Sequence, residues 1–96
     1  MTIGVIATLT VQEGKNAEFE AAFSELVAKV AANEPGCNFY QIHRSRHDPQ
    51  VYKVLEQYAD KASFDAHGAS DHFREIGKRL APCMASAPDI ELVDGF

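Results

Sequence analysis

The chain has few of the features that mark several large classes of protein. No apolar run among its 96 residues approaches the ~20 residues that a membrane-spanning helix requires. Nine lysines and arginines are outnumbered by fourteen aspartates and glutamates, which gives a formal net charge of −5. Because this charge repels polyanions and no long basic cluster occurs, we expect neither nucleic acid nor a membrane as a partner. The N-terminal residues do not resemble a signal peptide, so we expect a cytoplasmic protein.

The spacing of the two cysteines and the absence of cofactor motifs limit the cofactors and metal sites that we expect in this protein. Cys37 and Cys83 lie far apart and lack the spacing of a zinc site, which favours small buried thiols in a reducing compartment. No GxGxxG, P-loop or GxSxG motif indicates a nucleotide cofactor or a serine nucleophile. His43 and His47 are four residues apart, but an extended strand would separate their rings by about 13 Å, too far to share one ion. We therefore expect no cofactor and no metal.

Apolar periodicity predicts seven elements in the order βαββααβ. Residues 2–12, 38–44, 51–58 and 90–93 are the predicted strands, of which the first alternates apolar and polar positions with a period of two. The first helix carries apolar residues at the three-and-four spacing of one buried stripe. The predicted helix caps are Asn16, Asp60 and Ser70, and Gly68 is predicted to end the second helix in the left-handed conformation.

This order predicts a single α+β domain over residues 1–96 with a ferredoxin-like fold. Four antiparallel strands form one sheet, and the helices pack on one of its faces. The opposite face also carries apolar side chains, among them Ile6, Phe39 and Leu55. Because a small domain has a modest core and an apolar sheet face needs cover, we expect a homodimer in which the sheets of two subunits pack together.

Two histidines near the C-terminal third of the chain raise a question of geometry. His67 and His72 are five positions apart, which would place them about 140° apart on one continuous helix. A bend near Gly68 is therefore needed if the two rings act together. Without such a bend, at least one of them is an ordinary surface residue.

The chain resembles the antibiotic biosynthesis monooxygenase family, in its small quinol-monooxygenase-like group, through a motif in its second half. The resemblance spans residues 3–93 and follows a Glu34-Pro35-Gly36-Cys37 turn. Its motif has the form E-x-Y-x-D followed by H-x-x-S-x-H-F. The residues that carry it are Glu56, Tyr58, Asp60, His67, Ser70, His72 and Phe73.

The resemblance implies a dimeric α/β barrel with a pocket between the helices and the sheet of each subunit. Some members of this family oxygenate quinols or phenols without metal or flavin, and relatives with other reactions share the fold. The haem-degrading branch has Asn, Trp and an axial His where this chain has Ala7, Tyr58 and Gly77. The resemblance therefore does not extend to haem degradation.

Oxygenation without a cofactor requires a base that converts the substrate into an electron-rich anion. Imidazole suits this role because its unperturbed pKa of about 6.5 leaves it largely neutral near pH 7. His67 is the favoured base, and the alternative is a helix-end histidine that interacts with the helix dipole. His72 and Glu56 complete the predicted catalytic group, although a capping role or a structural hydrogen bond would explain them as well. The predicted substrate-binding residues are Tyr58, Tyr52 and Phe73, with core packing the alternative for the tyrosines.

These observations predict a cofactor-independent monooxygenase that oxidises small aromatic quinols or phenols with O₂. One alternative uses the same base for proton-transfer isomerisation of a small carbonyl compound or a phosphorylated sugar. Another is a dimer that binds a small molecule without turnover. Oxygen dependence separates the first two, and any turnover excludes the third.

Overall fold

The computed structural model describes residues 1–96 and contains the seven elements in the predicted order. The strands form one antiparallel sheet in the order β2-β3-β1-β4, which confirms the ferredoxin-like α+β prediction. The strands are β1 (Ile3–Thr10), β2 (Cys37–Arg44), β3 (Val51–Tyr58) and β4 (Asp89–Asp94). The helices are α1 (Asn16–Asn33), α2 (Lys61–Gly68) and α3 (Asp71–Leu80), and a 3₁₀ turn at Ala81–Cys83 follows α3.

The core lies between α1 and the inner face of the sheet. Phe19, Leu26 and Val30 project from α1 at helical spacing and are almost completely buried. They meet the inward positions of β1 and β3, such as Leu9 and Val54, because alternate residues of a strand share one face. Burial of each large apolar side chain stabilises the fold by roughly 1.5–3 kcal/mol.

Two predicted helix ends are wrong. Asn16 is the first residue of α1 rather than its cap, and its side-chain amide instead donates to the Pro49 carbonyl and the Tyr52 hydroxyl, both at 2.9 Å. Gly68 is the last residue of α2 but has no positive φ, since Gly14 alone does. The turn after α2 is formed at Ala69, whose N–H donates to the Asp65 carbonyl at 3.1 Å, so no left-handed residue is needed.

The other two predicted caps are confirmed. The Asp60 carboxylate accepts a hydrogen bond from the Ser63 N–H at 2.8 Å, and the Ser70 hydroxyl accepts one from the Phe73 N–H at 3.3 Å. Each side chain satisfies a backbone donor that has no partner within its own helix. The caps therefore define where α2 and α3 begin.

The outer face of the sheet has no helix over it. Phe39, Leu55 and Val93 are each 40% exposed on this face, and Ile6 is half-buried among them. Every residue of the edge strand β4 is exposed. None of the three helices combines the length and the apolar character needed to cross a bilayer.

Candidate active site

A cavity of about 780 Å³ opens between the inner face of the sheet and the α2–α3 pair. Sixteen of its 23 lining residues are hydrophobic, so it favours an apolar ligand of small-molecule size. Neither lysine nor arginine lines it. Its ionisable side chains are Tyr40, Glu56, Asp65 and His67.

The turn after α1 places the carboxylate of Glu34 next to this cavity. Glu34 caps the C-terminus of α1, and the following Pro35 disfavours helical geometry at Glu34, so the helix ends there. Gly36 packs directly on α2, since a Cβ at Gly36 would lie 2.1 Å from the Ser63 hydroxyl oxygen. The Ala59 N–H also donates to the Gly36 carbonyl at 2.8 Å. The absence of a side chain at Gly36 therefore allows the turn to approach α2 closely.

His67 and His72 both reach Glu34, which answers the question raised by their spacing. The Ser70 hydroxyl donates to the His67 carbonyl at 2.7 Å and also caps α3, so one side chain joins the end of α2 to the start of α3. Nδ1 of His67 lies 3.0 Å from both carboxylate oxygens of Glu34. Nε2 of His72 contacts Oε2 of the same carboxylate. The change of direction between the helices therefore brings the two rings to one acid.

The carboxylate determines which nitrogen of His67 is free. An ionised carboxylate only accepts hydrogen bonds, so His67 presents its Nδ1–H to Glu34. Burial lowers the pKa of His67 and outweighs the opposing hydrogen bond and charge of Glu34, which keeps the ring neutral. Nε2 then carries a lone pair and has no protein partner. Every fully buried side-chain nitrogen and oxygen in the protein has a hydrogen-bond partner. Since Nε2 of His67 has none, it is not fully buried.

Aromatic rings enclose His67 on three sides. The ring centroids of Tyr40, Tyr58 and Phe73 lie 5.1, 5.2 and 4.8 Å from that of the imidazole. These rings restrict its orientation, and the Nδ1 hydrogen bond to Glu34 fixes it further. His67 is thus a positioned neutral imidazole in a largely apolar cavity.

A second buried acid lines the cavity without contacting the histidines. Glu56 accepts a hydrogen bond from the Tyr58 hydroxyl at 2.7 Å. Burial raises the pKa of Glu56 to about 7; the charge of Glu34 adds to this effect, and the Tyr58 hydrogen bond opposes it. Tyr40 lies directly opposite Glu56 in the β2–β3 ladder, and burial raises the pKa of its phenol as well. A carboxyl group that exchanges its proton near neutral pH therefore lies beside a neutral phenol.

The predicted site residues fall into two groups. His67, Glu56 and Phe73 line the cavity. Tyr58 is completely buried behind them, and His72 lies on the far side of Glu34. Tyr52 lies outside the cavity, where its hydroxyl donates to Glu20 and accepts from Asn16. The cavity thus brings half of the predicted set together.

Two residues of the site were not predicted from the sequence. Tyr40 shares the inner face with Glu56, and the alternation along β2 contained the signal that places it there. The sequence indicates only a turn at Glu34, because no local pattern connects this residue with histidines more than thirty residues away. No three histidine, cysteine, aspartate or glutamate side chains are arranged to hold a metal ion, and both cysteines are free thiols.

Residues 2–79 match the model of the antibiotic biosynthesis monooxygenase family. The chain belongs to this family. A structure from Caulobacter crescentus CB15, named as a proposed antibiotic biosynthesis monooxygenase, shares 52% identity with it and superposes with a TM-score of 0.97. That alignment covers 99% of this chain and 90% of the other.

More distant members of the structural family have the same architecture. A conserved protein from Methanosarcina mazei Go1 is 30% identical and superposes with a TM-score of 0.91, with 97% of this chain and 91% of the other aligned. A proposed antibiotic biosynthesis monooxygenase from Nitrosomonas europaea is 22% identical, with a TM-score of 0.93 and coverage of 98% and 89%, and supports the fold alone. No curated protein matches the chain.

Proposed function

We propose that the protein is a cofactor-independent monooxygenase of small aromatic quinols or phenols, with His67 as its base. The observation that carries the proposal is an imidazole whose Nδ1–H is held by Glu34 and whose Nε2 is free, on the wall of an apolar cavity. Family membership supports chemistry of the monooxygenase type. The substrate class follows from the family resemblance, and the apolar lining of the cavity supports a small aromatic molecule.

The proposed reaction begins when Nε2 of His67 removes the proton of a substrate hydroxyl. The resulting anion donates one electron to O₂, and the two radicals combine to form a carbon–oxygen bond. His67 returns its proton to the peroxide, the C–H bond at the oxygenated carbon breaks together with the O–O bond, and the hydroxide and that proton leave as water. For 1,4-dihydroxynaphthalene, the substrate and O₂ give 2-hydroxy-1,4-naphthoquinone and one water, so the substrate supplies all the electrons. A positioned base contributes about 10²- to 10⁴-fold to such a step.

Glu56 and Tyr40 are proposed to bind a second oxygen of the substrate. The carboxyl group of Glu56 can donate or accept a hydrogen bond near neutral pH because burial raises its pKa to about 7. The aromatic rings of Tyr40 and Phe73 provide flat apolar surfaces for a planar ring. A phosphorylated sugar fits this cavity less well, because the wall is largely apolar and no cationic side chain lines it to pair with a phosphate.

The experiment that tests this proposal measures oxygen uptake with 1,4-dihydroxynaphthalene after chelator treatment. We expect protein-dependent uptake above spontaneous oxidation, and a loss of at least about 10²-fold in His67→Ala. His43→Ala is the matched control, because His43 is an exposed residue of β2 outside the cavity. Equal activity of His67→Ala and wild type would exclude His67 as the base. Uptake at the spontaneous rate would favour the isomerase or the binding protein.

We also propose that the protein is a homodimer joined through the outer face of the sheet. Its support is the exposed cluster of Ile6, Phe39, Leu55 and Val93 on a domain with a modest core. Leu55→Asp places a charge at the centre of this face and is expected to give a monomer in light scattering. Lys29→Asp, at an exposed position of α1 away from this face, is the control for charge alone. A monomeric wild type would contradict the proposal.

A further inference from the structure

His67 and His72 share one carboxylate but line two different pockets. His67 lines the apolar cavity, whereas His72 lines a separate polar groove between α1 and α3. Glu34 lies between them, with its side chain 9% exposed, compared with 6% for His67 and 14% for His72. The three side chains therefore connect the cavity with the outer groove.

A single carboxylate balances a single positive charge. If both imidazoles were protonated, one charge would be unbalanced in a largely buried cluster, which is energetically costly. Of the two rings, His72 is the more exposed and contacts Glu34 through Nε2, so a positive charge is better solvated there than on His67 while the cavity is empty. Protonation of His67 therefore favours loss of a proton from His72.

We propose that His72 is the proton-release group of the site, so that uptake of a ligand proton by His67 is accompanied by loss of a proton from His72 to the outer groove. This inference rests on the proposed role of His67 as a base. The ligand O–H bond breaks and its proton forms the Nε2–H bond of His67. The Nδ1–H bond of His72 breaks and its proton passes to water. Glu34 stays ionised, and the three side chains keep a net charge of zero.

Other charged groups near the two rings leave this coupling in place. In the groove, Glu25 pairs with Arg79 at 2.7 Å and Asp71 pairs with Arg74 at 2.9 Å, so these charges largely cancel. None of them forms a hydrogen bond or ion pair with His72, whose sole charged partner is Glu34. The titratable or charged groups facing the cluster are Glu25, Lys29, Asp71, Glu75 and Arg79 in the groove, Tyr40, Glu56, Tyr58 and Asp65 around His67, and the thiol of Cys37 beside Glu34.

The first test is an NMR titration of ¹⁵N-labelled histidines in wild type and His72→Gln, without any ligand. Glutamine can still donate to Glu34 but cannot carry a charge. We expect the pKa of His67 to rise by about one in His72→Gln, because His67 becomes the only group that can neutralise Glu34. His47→Gln, in the exposed turn between β2 and β3, is the control and leaves His67 unchanged. An unchanged pKa of His67 in His72→Gln would overturn the proposal.

The second test uses 4-nitrophenol, whose absorbance reports its own ionisation, in weakly buffered solution with a pH electrode. In wild type we expect the bound phenol to ionise and about one proton per site to be released. In His72→Gln we expect ionisation without proton release, since the proton stays on His67. Proton release that persists in His72→Gln would overturn the proposal.

The two tests separate this inference from the proposed function. If the histidines titrate as a coupled pair but wild type does not ionise 4-nitrophenol, the base role of His67 is contradicted, and proton release by His72 is contradicted with it. If wild type ionises the phenol but the histidines titrate independently, His72 alone is excluded. His72→Asn repeats both measurements with a shorter neutral amide in case His72→Gln does not fold.

Discussion

Side chains at the α1 end of the layer between helices and sheet are packed into the core even where they border the cavity, whereas at the α3 and β4 end, the cavity end, they stay partly exposed. Phe19 is completely buried against Phe23 and Tyr52. Phe73 is 39% exposed and Ile90 is 53% exposed. The difference shows that side chains bordering one cavity differ in how far they belong to the packed core. The cavity end can therefore change its side chains with less loss of fold stability than the α1 end.

Matched phenylalanine truncations should show this difference most strongly. Phe19→Ala is expected to lower the free energy of unfolding by about 3–5 kcal/mol, because it leaves a hole in a filled core. Phe73→Ala should cost less than about 1 kcal/mol, as its ring is already partly in contact with solvent. Urea denaturation measures both. Similar losses in the two variants would contradict the contrast between the two ends.

The buried acid at the cavity end should make stability depend on pH. The unfolded chain binds a proton at Glu56 only below its ordinary pKa of 4.5, whereas the folded protein binds it up to a pKa of about 7. Between these values the folded state binds more protons, so stability falls as the pH rises, by on the order of 3 kcal/mol in total. Glu56→Gln should remove this fall.

Chemical denaturation at a series of pH values from about 3.5 to about 8 tests this expectation, because this range extends about one pH unit beyond each pKa. Glu13→Gln, at an exposed position, is the matched control for loss of a carboxylate. The lowered pKa of His67 has the opposite effect on stability. The unfolded chain holds this proton to a higher pH than the folded protein does, so stability increases as the pH rises toward the ordinary pKa of histidine. The difference between Glu56→Gln and wild type isolates Glu56. Parallel pH profiles for these two proteins would contradict the prediction.

The joint between α2 and α3 should have a smaller effect on stability. Ser70→Ala removes the cap of α3 and the hydrogen bond to the His67 carbonyl, and should cost about 1 kcal/mol. It should also change the NMR signals of His67 and His72, because the joint orients both rings. Asp60→Ala removes a cap that is remote from this joint and should leave those signals unchanged. Unaltered histidine signals in Ser70→Ala would show that the joint does not position the rings.

The smallest expected effect is a gain in stability at the cavity wall. Gly77 lies within α3 and lines the cavity, and a Cβ there would meet no atom within 4 Å. Gly77→Ala should therefore stabilise the protein by about 0.5–1 kcal/mol, because alanine loses less backbone entropy in a helix. Gly77→Leu should fill part of the cavity and weaken binding of 4-nitrophenol. A loss of stability in Gly77→Ala, measured in urea, would contradict the open space at this position.

The sequence predicted the elements well because each depends on neighbours along the chain. The alternation in β3 gave its bounds, 51–58, and the caps at Asp60 and Ser70 follow from side chains that bond their own helix starts. Prediction from neighbouring residues failed where a residue distant in the sequence binds the same side chain. Asn16 is predicted to cap α1, but Pro49 and Tyr52, more than thirty residues away in the sequence, bind its amide instead.

The sequence by itself determined the fold class, the buried stripe of α1 and the presence of two histidines near a helix boundary. Only the tertiary structure decided which acid they share. Glu56 has the more suggestive position in the motif, yet it bonds Tyr58, while Glu34 reaches both histidines. The physical reason is that a strand and helix pattern records which face a residue occupies, whereas the meeting of Glu34, His67 and His72 depends on how α1 ends and how α2 and α3 pack beside it.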